Sequence, residues 1–561
     1  MPTGRSSAEP AGLPGATEPG EPGGSGWSGW SGWLGGSSWS EVGRQVVDVG
    51  ILLRFRAGTV RRPLAVRVAL AAFVVMTAAA AVFPAVAARR IPDGEVLVDI
   101  GELPVDAAFL DDVLIGQLPG ALAAFVALAV TSAVAVGGGR ELLSRDPAAV
   151  HPIGPVTDHL GALLLAPVSA TWLVPFWGLL AASGWASADQ SPGRIVAVWV
   201  VVSAWVALGT ALGQIVAWSV EWLRRGPHGV PVVRTLTAVL VLGSGAVLWR
   251  SPETLVAGPA EAVAATIAGN GSGAGALGGL GVLGVAVVLL VIATALVVLG
   301  ALPAAAAGRR APRDEARIET SPHRARPDAT SERRALLRID RASVWRSLPL
   351  RRGTVMLALA PGLFALVVGM DWWTLTVLPG LVASGCVLLF GVNVWCLDGR
   401  GALWRASLPV APAVVFDARC WVVAELLLGA GLSTIALGCL RAGAPSSMEA
   451  LTAVAVLVVV TGQALSGGMR WSLRSPYPVD LRSARATPAP PLVMIGYSAR
   501  LALTTTFTAL FLATCAVTGR AAWILLPALV LLAWSAMRLA LSRRRWTDPT
   551  HRARVISVVA A

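Results

Sequence analysis

Seven carboxylates, Asp93, Glu95, Asp99, Glu102, Asp106, Asp111 and Asp112, crowd into a stretch of about 25 residues between two apolar runs. Paired acids at such density are what general acid–base chemistry uses. No sizeable domain follows to hold an acceptor, so a solvated acidic face is the plainer reading. The five histidines, His151, His159, His228, His323 and His551, sit in or beside polar segments with no ligand or triad spacing, as solvated loop residues would. Cys386, Cys396, Cys420, Cys439 and Cys515 lie in or next to apolar runs, without a CxxC pair or a Cys/His cluster. They read as small buried hydrophobes. All 45 basic residues are Arg. Without Lys there is neither a Walker A phosphate loop nor a lysine Schiff base. The residues therefore point to no catalytic constellation, no metal site and no cofactor.

The elements that must position these residues are membrane spans. Hydrophobic residues make up 55% of the 561, charged residues only 14%, and mean hydropathy is +0.69. Soluble domains carry about 25% charged residues. Uncharged runs such as Leu375–Leu397, Cys420–Leu440 and Ala521–Leu541 reach the roughly 20 residues needed to cross a hydrocarbon core. Backbone groups there must be satisfied within the chain, so the spans are helical. The pattern predicts twelve: Val68–Ala88, Leu114–Gly137, Leu160–Ala182, Ile195–Trp218, Val232–Trp249, Leu280–Ala305, Thr354–Met370, Leu375–Leu397, Cys420–Leu440, Leu451–Gly467, Leu492–Val517 and Ala521–Leu541. The fifth is short and the seventh is interrupted by Pro361. With the N-terminus inside and sides alternating, 39 Arg fall on cytoplasmic segments and 6 outside, as the positive-inside rule requires. The fold class expected is thus all-α and polytopic, in a bacterial plasma membrane, with both termini cytoplasmic.

Domain organisation follows from composition. Residues 1–40 are rich in Gly, Ser, Pro and Trp and read as a disordered tail. The first apolar run begins some 60 residues in, so no secretory signal is expected. Residues 41–307 form a first six-helix domain, opened by an interfacial helix with Val42, Val46, Val49 and Leu53 on one face and Arg44 and Asp48 opposite. Residues 308–350 form a basic cytoplasmic linker ending in a membrane-surface helix, 351–545 a second six-helix domain, and 546–561 a cytoplasmic tail. The halves read as a tandem repeat. Pro155-Val156 precedes the third span as Pro409-Val410 precedes the ninth, 254 positions on. Gly213-Gln214 matches Gly462-Gln463 at an offset of 249, each Gln followed eight residues later by Trp222 or Trp471.

Polar residues inside the spans are few. Glu425 is the one acid well inside, expected to pair with Arg419 or to snorkel to the interface; Asn393, Gln214 and Gln463 are polar but neutral. An ion-coupled carrier normally needs intramembrane carboxylates, so this scarcity argues against one. The cytoplasmic loops after the second span of each half are richer. One runs Arg140-Glu141-Leu142-Leu143 on to Pro155; the other carries Asp398, Arg400, Leu403, Trp404, Arg405 and Pro409. Both mix apolar and charged residues, as the centre and rim of a protein interface do.

Phe390-Gly391-Val392-Asn393, then Leu397-Asp398-Gly399-Arg400-Gly401-Ala402-Leu403 and Leu408-Pro409, resemble the loosely kept Asn, Asp-Gly and Pro pattern of type-2 ABC transporter permeases, the exporter-like family. Glu141 through Pro155 resembles a weaker copy. The resemblance implies two fused six-helix permease domains over residues 40–545, coupling loops between their second and third spans, and a separate ABC ATPase subunit as partner. Lipids and an unknown transported substrate would be the other contacts, with no nucleic acid. Two positions depart from the family. Arg419 and His159 stand near where such permeases often have Lys, and only Thr518-Gly519-Arg520 separates the last two spans, leaving no room for the family's re-entrant external helix. Ala257–Gly269 would supply that helix in the first half. Two alternatives stay open: a secondary carrier of the major facilitator type, which also has six plus six helices, and a membrane glycosyltransferase relying on Asp106, Asp111 or Asp112.

Overall fold

The structure is a computed structural model that describes residues 47–52, 54, 63–90, 98–100, 103–105, 112–136, 154–168, 170–229, 231–233, 235–236, 239, 258–269, 281–310, 327, 329–386, 389–478, 489 and 491–561. Helices dominate. The first half contains α1 (Pro63–Arg90), α2 (Leu118–Val136), α3 (Pro155–Leu165), α4 (Ala170–Ala186), α5 (Pro192–Arg224), α6 (Pro259–Ala268) and α7 (Val282–Gly308). The second contains α8 (Glu332–Arg346), α9 (Leu348–Val368), α10 (Trp372–Leu375), α11 (Leu378–Gly385), α12 (Ala402–Ser407), α13 (Pro412–Ala442), α14 (Ser447–Arg474), α15 (Pro491–Val517), α16 (Ala521–Thr547) and α17 (Pro549–Ala560). One antiparallel hairpin, Val98–Ile100 with Leu103–Val105, lies within the acidic segment.

Seven described helices are long and apolar enough to cross a membrane: those containing Phe73–Arg90, Pro192–Arg224, Val282–Gly308, Pro412–Ala442, Ser447–Arg474, Gly496–Val517 and Ala521–Thr547. Their outer faces are apolar. Leu283, Val287, Val291 and Val298 on α7 and Leu526, Leu529 and Val530 on α16 are exposed. An apolar surface of that extent, which water would disfavour, suits lipid. Helix starts carry ordinary chemistry: Pro192 and Pro412 at first-turn positions, where an N–H has no partner anyway, and a capping box at α14 between Ser446 and Glu449.

Among the described residues, two large apolar cores exist, each drawn from one half, with two smaller clusters beside them. One runs from Leu118 to Leu289 and the other from Leu336 to Val559. The amphipathic helix α8, expected to close a solvated linker, contributes Leu336 and Val344 to the second core and packs on α13. The two halves pack by the same scheme. In the first, α1 lies against α4, α2 and α7 against α5, and α3 against α7; in the second, α9 lies against α13, α11 and α16 against α14, and α13 against α16. Helix α2 meets α9 across the halves.

Several expectations need correction. The eighth span is not one helix: α10 and α11 give way to turns and a 3-10 turn at Val394–Leu397. Pro379 cannot donate to the preceding turn, and Phe390 to Leu397 are instead buried by neighbouring helices. Enclosed by protein in this way, the non-helical backbone does not expose its polar groups to lipid. Pro361, by contrast, is accommodated within an unbroken α9. The third span begins earlier than expected and is divided by a 3-10 turn at Ala166–Val168. Most of the fifth span, the N-terminal tail and Arg140 to Leu143 lie outside the described residues. Residues 47–52 are helical, with Val49 buried and Val47 and Ile51 exposed.

Candidate functional site, a buried ionic cluster behind a short exposed helix

Four charged side chains meet where α8, the Asn393–Gly401 turn, α12 and α13 come together. At 31 residues, α13 exceeds what a span needs, and its first two turns, with Asp417 and Arg419, precede the apolar run expected from Cys420 onward. Arg419 is 0% exposed. Its Nη2 donates to Asp398 Oδ1 at 2.7 Å and to Asp340 Oδ1 at 3.0 Å, its Nε to Asp340 Oδ2 at 3.1 Å, and its Nη1 to the Val394 carbonyl at 2.7 Å. Arg405, from α12, donates through Nη1 to Asp398 Oδ1 at 2.8 Å and also to Asp340. Asp340, from α8, is likewise 0% exposed.

Formal charge within the cluster sums to zero, which is the condition for burying ions at tolerable cost. Burial alone would raise the Asp340 pKa. The charges of Arg419 and Arg405, with their hydrogen bonds, outweigh it and hold the carboxyl below the ordinary aspartate value. With its oxygens engaged by guanidinium groups, Asp340 is a structural anion rather than a base. Aromatic rings pack beside it. The Arg419 guanidinium lies 5.3 Å from the Trp395 ring, and Trp395 stacks on Trp546 at 3.7 Å and 7°. Trp546 Nε1 donates to the Pro412 carbonyl at 3.0 Å, tying the end of α16 to the start of α13. The turn itself is anchored by Asn393 Nδ2 on the Tyr477 carbonyl and by the Val394 N–H on Ser472 Oγ, each 2.8 Å.

What this framework presents is α12. Its Leu403 and Trp404 are 60% and 61% exposed, while Arg405 on the same six-residue helix points inward. Beside α12 lies a cavity of about 410 Å³ lined by Asp398, Arg405, Trp395, Trp546, Val555 and Val559 among others. The Arg405 Nε and Trp395 Nε1 groups are buried there without a hydrogen-bond partner. Pro409 lines the same cavity.

The structure thus brings Asn393, Asp398, Leu403, Trp404, Arg405 and Pro409 together. It reverses the expected division into apolar centre and charged rim, since the charges are inside and the apolar side chains outside. Only the backbone of Arg400 is described, in a 3-10 turn. In the first half, Pro155 opens α3, but Arg140, Glu141, Leu142 and Leu143 lie outside the described residues. Glu425 does not pair with Arg419: it faces Arg341 of α8 at 2.7 Å in an exposed ion pair, because Arg419 is already taken by two aspartates. His159 is not a solvated loop residue either. It is buried on α3, its Nε2 3.1 Å from the Val297 carbonyl, against Gly300, where any Cβ would clash with the ring. Gln214 is buried, and Gln463 Nε2 donates to Thr508 Oγ1 at 2.9 Å.

Sequence reasoning passed over Asp340 because it stands in an Arg-rich segment read as solvated. A signal was present. Leu336, Asp340 and Val344 fall at i, i+4 and i+8, one helical stripe, and an acid in an otherwise apolar stripe demands a buried cation. Comparison with protein-family models, with curated proteins and with solved structures finds no match to this chain.

Proposed function

We propose that the chain is the membrane-spanning permease of an ABC-type exporter of a bacterial plasma membrane, driven by ATP hydrolysed on a separate subunit. The observation that carries this reading is α12, a short helix held on four buried charges with Leu403 and Trp404 turned outward. A helix only six residues long has little stability of its own. Anchoring it so firmly while leaving a Leu and a Trp uncovered fits a docking element, and Trp is enriched in such contacts. Since the sequence contains no Lys for a Walker A loop, energy from ATP would enter through that contact.

Twelve spans in a six-plus-six arrangement, with both termini cytoplasmic and a basic linker between the halves, complete the proposal. The shared packing scheme and the two separate cores support it, as does the Arg distribution. Glycine contacts support the repeat but shift its register. A Cβ at Gly213 would lie 2.9 Å from the Ala129 carbonyl of α2, and one at Gly468 would lie 2.7 Å from the Gly391 carbonyl, in the segment that follows α11. Gly468 lies 255 positions after Gly213, close to the 254 of the Pro-Val pairs. Gly462 instead faces Leu532 and Ser535 of α16. The test is co-purification. Trp404→Ala with Leu403→Ser should release an ATPase that accompanies the wild-type protein from mild detergent, with membrane insertion unchanged. An ATPase retained by the double variant, or none found with the wild type, would sink the docking reading and favour a secondary carrier.

A further inference from the structure

Among the described residues, several arginines pair with carboxylates: Arg224 and Arg225 with Glu221, Arg341 with Glu425, and Arg543 with Asp417. One group does not follow this pattern. Where the ends of α14 and α16 meet α17, a cavity of about 160 Å³ is lined by Arg474, Arg545, Arg554 and His551, over a floor of Leu473 and Val555. None of the three guanidinium groups has a carboxylate partner among the described residues. The neighbouring charges that act on Arg474 are Arg470 and Arg545, both of its own sign. Asp548, the nearest acid in sequence, is engaged in capping α17 through the backbone N–H groups of Thr550 and His551.

The three arginines and His551 are exposed around this concave space, so their summed positive potential is open to an anion from solvent or from the membrane surface. Arg is the side chain best shaped for phosphate, because its fork of donors matches two phosphate oxygens at once. The volume falls below the roughly 300–1,000 Å³ of ordinary small-molecule pockets, so a headgroup-sized anion fits better than a whole nucleotide. Position agrees: α14 and α16 are apolar enough to span a membrane, and basic pockets at the ends of such helices are where phospholipid headgroups bind.

We propose that the cavity bounded by Arg474, Arg545, His551 and Arg554 binds a phosphate group, supplied either by an anionic phospholipid or by a free phosphate compound. The inference stands apart from the ATPase reading and uses none of the α12 residues. The full-length chain is tested in nanodiscs of phosphatidylcholine, with dioleoylphosphatidylglycerol added as one probe and inorganic phosphate titrated as the other. Retained lipid is counted by native mass spectrometry, and phosphate binding is followed by thermal shift. The double variant Arg474→Gln, Arg554→Gln should bind the effective probe at least about tenfold more weakly, and Arg554→Gln alone, on a terminal helix, should show part of that loss. Arg543→Gln, which removes a paired charge nearby, should bind like the wild type. Phosphatidylglycerol retention would identify a lipid as the source, and phosphate binding without lipid retention would identify a soluble one. If neither probe separates the double variant from the wild type, or Arg543→Gln weakens binding equally, there is no site here.

Discussion

Asp340, like Asp398, accepts from both Arg405 and Arg419, and it is the more deeply buried of the two carboxylates. Asp340→Asn would leave two buried guanidinium groups facing one carboxylate. Breaking a buried pair in this way costs about 3–5 kcal/mol, so the variant should unfold at lower temperature in detergent. Arg543→Gln, which breaks the exposed pair with Asp417, should change stability by no more than about 1 kcal/mol. Acid gives an independent reading. Since the folded-state pKa of Asp340 lies below the unfolded value of about 3.9, the group stabilises the fold at pH above that value. Its contribution disappears as pH falls through the lower, folded-state value. Unfolding scans from neutral pH down to about pH 3 should therefore show a loss in the wild type that is smaller in Asp340→Asn.

At the scale of elements, the existence and order of most helices could be read from apolar run length alone, and α1, α2, α5, α7, α9 and α13 to α16 all lie on the expected runs. Run length says nothing about what happens inside a run, which is why the break after α11 was missed. Leu375–Leu397 has the hydropathy of a span, but the Val394 N–H and carbonyl are satisfied by Ser472 and Arg419, and the Asn393 side chain donates to the Tyr477 carbonyl, all far away in sequence. The site was half legible. Asp398 to Pro409 stood out as a motif, whereas the partner that fixes it, Asp340, lies 58 residues upstream of Asp398. Close helix approaches also make a testable prediction. Gly468→Val and Gly213→Val each place a side chain against a carbonyl and should cost about 1–3 kcal/mol. Gly462→Ala, whose nearest neighbour is 3.4 Å away, should be tolerated. Thermal stability of the three variants, compared side by side, distinguishes the two registers proposed for the repeat.

For the whole molecule, orientation is the first property to check. Cysteine placed at Thr330, just before α8, should stay unlabelled by an impermeant thiol reagent in sealed cells, while cysteine at the exposed Ser447, at the start of α14, should react. Labelling of Thr330→Cys in sealed cells would invert the proposed topology. The halves are also unequal in what they leave open. The first core centres on α5, whereas the second gathers α8, the turn and α17 around the head of α13. That arrangement has a mechanical consequence. A helix of 31 residues is about 46 Å long at 1.5 Å per residue, against about 30 Å of hydrocarbon. Helix α13 is therefore a rod with an overhang of about 15 Å, and Arg419 on that overhang is linked to Arg405 of α12 through Asp340 and Asp398, which accept from both. Rocking the rod by about 10° around its far end would sweep the near end through about 8 Å, carrying Leu403 and Trp404 along. A push of a few ångströms at α12 would be felt as a change of tilt along the whole length of the helix, with no bending and no local unfolding needed to transmit it.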